Sequence, residues 1–125
     1  MHSYNELADR YVAMWAVKDP EEIRAAVAEI FTEDGEYTNL VRQVKGHEEL
    51  AAQVGFAQDY YTERGSYTFA SARDAEGLGD SMRFGWVLLN GVTGEAVSTG
   101  VNFFQLALDG RIARAYQFTD RPPVF

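Results

Sequence analysis

The chain has no cysteine among its 125 residues, which excludes disulfides and thiolate metal sites. Its only histidines, His2 and His47, show no metal-ligand spacing, so no structural metal is expected, and no motif calls for a cofactor. Long apolar runs are absent: none approaches the roughly 20 residues that span a bilayer. The N-terminal MHSYNELADR also lacks the basic and apolar blocks of a secretion signal. These absences read as a cytoplasmic protein without a membrane segment. Basic residues are scarce as well. Against 11 Lys and Arg stand 19 Asp and Glu, a formal charge of −8 with no basic cluster, and such a surface repels a phosphate backbone. Nucleic acid is therefore not an expected partner, and the acidic surface reads as a solubility device.

What is present is enough apolar material, 46% of the chain, for one globular domain spanning residues 1–125. Ser3 and Glu6 form a possible capping box, and Leu7, Tyr11, Met14 and Trp15 follow at helical spacing, predicting a first helix over 4–17. Asp19 can cap a second helix that has Pro20 at its first position and Glu22 reaching back. Ile23, Ala26, Val27 and Ile30 form its apolar stripe, which closes near Phe31. A strand holding Tyr37 and Asn39 follows. Gly46 then precedes a third helical pattern, Leu50, Val54, Ala57 and Tyr61, which stops at Arg64-Gly65.

The remainder reads as strands over 66–75, 81–90, 95–108 and 111–119, separated by Gly-rich, Asn-Gly and Asp-Gly turns. The expectation is an α+β domain, three helices packed on one face of an antiparallel meander that bends at Gly85 and Gly100. Alternation groups Tyr37 with Asn39, Arg83 with Gly85 and Val87, Gly100 with Asn102, and Ala115 with Gln117 and Thr119. The expected inward faces carry these residues, whereas Phe103, Tyr116 and Phe118 alternate outward. Asp74, Glu76 and Asp80 flank a Gly-rich turn and read as solvated; His47 reads as an exposed first-turn residue.

In the order and spacing of "RYVAMW", "IFTEDGEYTNL", "GHEEL" and "GVNFFQLALDGRIARAYQF", nearly the whole chain resembles the nuclear transport factor two-like superfamily. That superfamily includes the SnoaL-like polyketide cyclases, the ketosteroid isomerases and the limonene epoxide hydrolases. The resemblance implies a cone-shaped roll: a strongly curved, mostly antiparallel sheet around a long helix, with a pocket between helices and sheet. It also implies a homodimer through the outer sheet face.

Carried over by this resemblance, Tyr11 matches the isomerases' oxygen-binding tyrosine, Asn102 stands at their protonated Asp donor, and Asn39 at their Asp base. An amide has no useful acid or base function near neutral pH, so the isomerase proton shuttle is missing at Asn39. An Asp at position 39 would restore a carboxylate opposite Tyr11. Compared with the epoxide hydrolases, Tyr37 and Asn39 match residues that hold the attacking water, and Arg83 matches an Arg set between two catalytic carboxylates. Those carboxylates correspond to Gly85 and Gln117.

The resemblance thus implies a small-molecule pocket with Tyr11, Asn39, Arg83 and Asn102 as candidate catalytic residues. Trp15, Tyr37, Val54, Gly85 and Gln117 are the candidate substrate-binding residues. The expected ligand is an apolar, oxygenated molecule of polyketide or terpenoid type, cyclised, isomerised or opened at an epoxide. The alternatives are a non-catalytic binding module and a dimerisation module.

Overall fold

The computed structural model describes residues 3–123, so His2 lies outside the described residues. Helix α1 (Tyr4–Met14) starts on Ser3, whose hydroxyl accepts the Glu6 N–H at 3.1 Å. The expected helix over 4–17 ends early because Trp15, Ala16 and Val17 each donate three residues back, to Val12, Ala13 and Met14. That tighter winding closes the helix. Helix α2 (Pro20–Ile30) is capped by the Asp19 carboxylate, which accepts the Glu22 N–H at 3.1 Å. Strand β1 (Phe31–Thr38) follows directly, then a short β2 (Gln43–Lys45) and helix α3 (His47–Glu63). Gly46 opens α3 at φ 87°, a left-handed conformation in which a side chain would be strained.

The second half supplies β3 (Tyr67–Ser71), β4 (Glu76–Leu78), β5 (Ser81–Asn90), β6 (Ala96–Leu106) and β7 (Ile112–Arg121). The spatial order is β2-β1-β7-β6-β5-β3, with β4 paired to β5. All pairings are antiparallel except β1 with β7, which is parallel. The expected strand over 66–75 stops at Ser71 because Arg73 takes a left-handed φ of 60° and turns the chain toward β4. Two three-residue strands, β2 and β4, had no periodicity by which to be read.

Bulges bend the sheet between Thr99 and Gly100 and between Gln105 and Leu106 on the β6–β7 pair, and between Leu88 and Leu89 on β5–β6. Gly100 is required there by close approach: a Cβ would stand 1.9 Å from the Phe118 carbonyl oxygen and 2.5 Å from the Trp86 ring. Gly85 lies in no bulge. The helices cover the concave face, where Tyr11 packs its ring against Trp15, Phe31, Phe84 and Phe104. Met82, Phe84, Trp86 and Leu88 of β5 all point into this core.

The β5 register corrects the expected faces. Phe84 stands opposite Asn102, which stands opposite Gln117, while Arg83 faces Phe103 and Gly85 faces Val101. Arg83, Gly85 and Val87 therefore belong to the convex face. Every second residue shares a face, so moving the reading by one residue exchanges the two sets.

Candidate functional site

A cavity of about 540 Å³ opens between α3, the end of α1, the end of β1 and the strands β3 and β7. From α1 comes Trp15, held through its carbonyl by the Gln58 side-chain amide. Tyr37 and Asn39 come from the end of β1, Gln117 from β7, and Phe69 from β3. Helix α3 contributes Gln53, Phe56, Ala57, Tyr60 and Tyr61, spaced three and four apart so that they form one stripe. Val41 and Arg42 close the rim.

Three residues form a polar chain along one wall. Asn39 Nδ2 donates to the Tyr37 hydroxyl at 3.3 Å, and Tyr37 donates onward to Gln117 Oε1 at 3.2 Å. Asn39 just outlasts β1, and its Oδ1 accepts the N–H groups of Val41 and Arg42 at 2.9 and 2.8 Å. One amide therefore shapes the rim loop and orients Tyr37. Burial pushes the Tyr37 phenol above its usual pKa, the Asn39 hydrogen bond offsets part of that rise, and Tyr61 adds to it. Tyr37 stays neutral throughout the physiological range.

Arg42 is the only charged side chain on the described cavity lining. Its guanidinium carbon stands 4.2 Å from the centroid of the Phe56 ring. No Asp, Glu or His lines the cavity among the described residues. Gln53 is buried with its Oε1 unpartnered, as is Trp15 Nε1. A buried polar atom without a partner is costly, which makes Gln53 Oε1 a candidate acceptor for a ligand's donor, whereas the Trp15 indole interacts with the Tyr11 side chain.

The expected site residues divide. Trp15, Tyr37, Asn39 and Gln117 meet around the cavity. Tyr11 and Asn102 are buried beside it on the concave side, at 1% and 2% exposure, and each keeps one polar atom unpartnered. Burial pushes the Tyr11 phenol well above its ordinary pKa; Tyr37 adds to the rise and Trp15 offsets some of it. Val54 lies in the core, and its neighbours Gln53, Phe56 and Ala57 take the lining instead.

Arg83 is a correction: exposed on the convex face, it pairs with Glu76 at 2.6 Å. Gly85 is another, since it packs under the β3–β4 turn, where its N–H donates to the Asp74 carboxylate at 2.8 Å. Asp74 and Glu76 thus have partners. His47 is half-buried outside the cavity, with Nε2 3.1 Å from the Phe31 carbonyl, an acceptor that requires the proton on Nε2.

Sequence reading missed Arg42, Gln53, Phe56, Tyr60 and Phe69. The spacing of 53, 56, 57, 60 and 61 carried a signal, a second stripe beside the core-facing Leu50 and Val54. Arg42 carried none, because its place depends on the loop fold.

No family model and no curated protein matches the sequence. Solved structures do. An isomerase candidate of the SnoaL-like family from Agrobacterium tumefaciens superimposes with a TM-score of 0.82 at 27% identity, covering 94% of this chain and 97% of its own. A SnoaL-like polyketide cyclase candidate from Jannaschia gives 0.67 at 22% identity, with 94% and 85% covered. A protein with a cystatin-like fold from Novosphingobium aromaticivorans gives 0.69 at 22% identity, with 93% and 79% covered. Along nearly its whole length, the chain shares the fold of these SnoaL-like and nuclear transport factor two-like proteins.

Proposed function

We propose that the cavity binds an apolar, oxygenated small molecule of polyketide or terpenoid type and promotes its cyclisation, isomerisation or epoxide opening. The observation that carries this reading is the neutral chain Asn39–Tyr37–Gln117 set in an aromatic cavity of about 540 Å³. Fixed neutral donors polarise a carbonyl or stabilise oxygen charge, and the aromatic walls hold a flexible molecule in one reactive shape. Ring closures and shifts that need little proton transfer suit such a site best. Tyr11 and Asn102, buried behind the wall, position it and have no direct access to the cavity. Epoxide opening has the weakest support, because Arg83 stands on the other face.

A second reading is favoured by one specific observation. With no Asp, Glu or His on the described lining, the cavity serves equally as a carrier that binds and releases a molecule unchanged. Native mass spectrometry of the purified protein identifies a retained ligand, and incubation of that ligand with fresh protein separates the two readings. A product of altered chromatographic retention, equal in mass after cyclisation or isomerisation and one water heavier after epoxide hydrolysis, reduced at least tenfold by Tyr37→Phe, is expected for the enzyme; unchanged ligand supports the carrier.

We also propose, from the resemblance, that the protein works in the cytoplasm as a homodimer through Phe103, Tyr116 and Phe118 on the convex face. Phe103 and Phe118 are exposed there. Sedimentation of Phe103→Glu against wild type tests this. Equal monomeric masses for both would leave the dimer without support, as the third reading, a dimerisation module, would then be.

A further inference from the structure

We infer that Arg42 anchors an anionic group, and that the cavity selects flat, largely apolar molecules carrying one carboxylate. The inference rests on the cavity being a ligand site and adds the chemical class of its occupant.

Charge distribution is the first argument. The chain carries a formal charge of −8, yet the one charged side chain on the described cavity lining is a cation. Carboxylates are abundant, and Arg10, Arg73, Arg83, Arg111 and Arg114 each hold one. Arg42 holds none among the described residues. Its guanidinium is left without a carboxylate on the described cavity lining.

Geometry is the second argument. The two N–H···Oδ1 bonds to Asn39 and the bond from Asn39 N–H to the Arg42 carbonyl at 2.9 Å close the rim loop and fix the Arg42 backbone. Its guanidinium lies over Phe56, which holds the plane while leaving the N–H edges free. A guanidinium edge matches the two oxygens of a carboxylate in a planar fork. A single cation in an otherwise uncharged lining neutralises one negative charge, whereas a phosphate monoester would bring a second charge with no partner.

The body of the ligand follows from the walls. Trp15 and Tyr37 rings lie 5.2 Å apart, and Trp15 and Phe69 6.5 Å apart, offering flat apolar surfaces. Gln53, 6% exposed and with Oε1 unpartnered, accepts from a hydroxyl on that body.

The test uses a matched pair of probes, naphthoate and naphthylmethanol, titrated calorimetrically into the intact protein at low and raised salt. Wild type is expected to bind naphthoate about tenfold more tightly at low salt, the effect of one charge-assisted contact at a partly exposed site. The preference should shrink as salt rises. Arg42→Met keeps the side-chain stem over Phe56 and is expected to bind both probes equally. Arg83→Met removes the same charge from the convex face and is expected to keep the preference, which separates a local contact from a change in net charge.

Equal binding of the probes by wild type, or a preference that survives Arg42→Met, overturns the anchor and leaves the ligand cavity standing. Failure of wild type to bind either probe overturns the ligand-cavity reading and the anchor with it.

Discussion

Tyr37 is held between two amides, accepting from Asn39 and donating to Gln117. Tyr37→Phe leaves both amides short of a partner in a part-buried wall, and the expected cost is about 1–2 kcal/mol in chemical denaturation. Gln53 presents the reverse case, because its buried Oε1 has no hydrogen-bond partner in the protein. Gln53→Met keeps the length and removes the unmet polar atom, so it should raise unfolding stability by about 1 kcal/mol while weakening ligand binding. A loss of stability would show that the amide is satisfied in the free protein. These two residues separate what holds the site together from what awaits a ligand. Only Tyr37 was legible in advance, by its inward place on a recognisable strand.

At the scale of elements, local signals carried far. Ser3 and Asp19 act as caps at their expected positions, and α3 begins after Gly46 and ends before Arg64. Strand faces were legible only in part. The alternation of β6 and β7 placed Asn102 and Gln117 on the concave side, but β5 contains Met82, Phe84, Trp86 and Leu88 in one set and Gly85, Val87 and Leu89 in the other. Both sets are apolar enough to face a core. Packing against Tyr11 and pairing with β6 decide between them, and the larger rings go in. The bend of β6 depends on Gly100, where a methyl group would collide with backbone as well as with Trp86. Gly100→Ala is expected to lower the unfolding free energy by about 3 kcal/mol, measured by urea titration. A change below about 0.5 kcal/mol would show that the β6–β7 bulge relaxes freely.

The whole molecule shows its buried phenols in its pH response. Burial raises the pKa of Tyr11, Tyr37 and Tyr61 above the ordinary 10.0. Below that pH both the folded and the unfolded chain keep these protons, so the three groups make no pH-dependent contribution to stability. Above it the unfolded chain loses protons first, and stability falls as pH rises toward the folded values. Thermal melts should therefore be insensitive to these groups up to about pH 10 and decline beyond it, with a shallower decline in Tyr37→Phe. An identical alkaline slope in the variant would show that Tyr37 titrates normally in the folded protein.

By itself the sequence determined the helices, the long strands, their order and the resemblance to a curved α+β roll, because caps, turns and periodicity act over a few residues. Strand alternation put Tyr37 and Asn39 on one face, and the resemblance added Trp15 and Gln117 to the same pocket. The tertiary structure alone decided that Arg83 and Gly85 belong to the convex face, and that Arg42, Gln53 and Phe56 complete the cavity. A face is chosen by pairing with neighbouring strands, and a cavity is the space left between elements, so neither is encoded in the periodicity of any one segment.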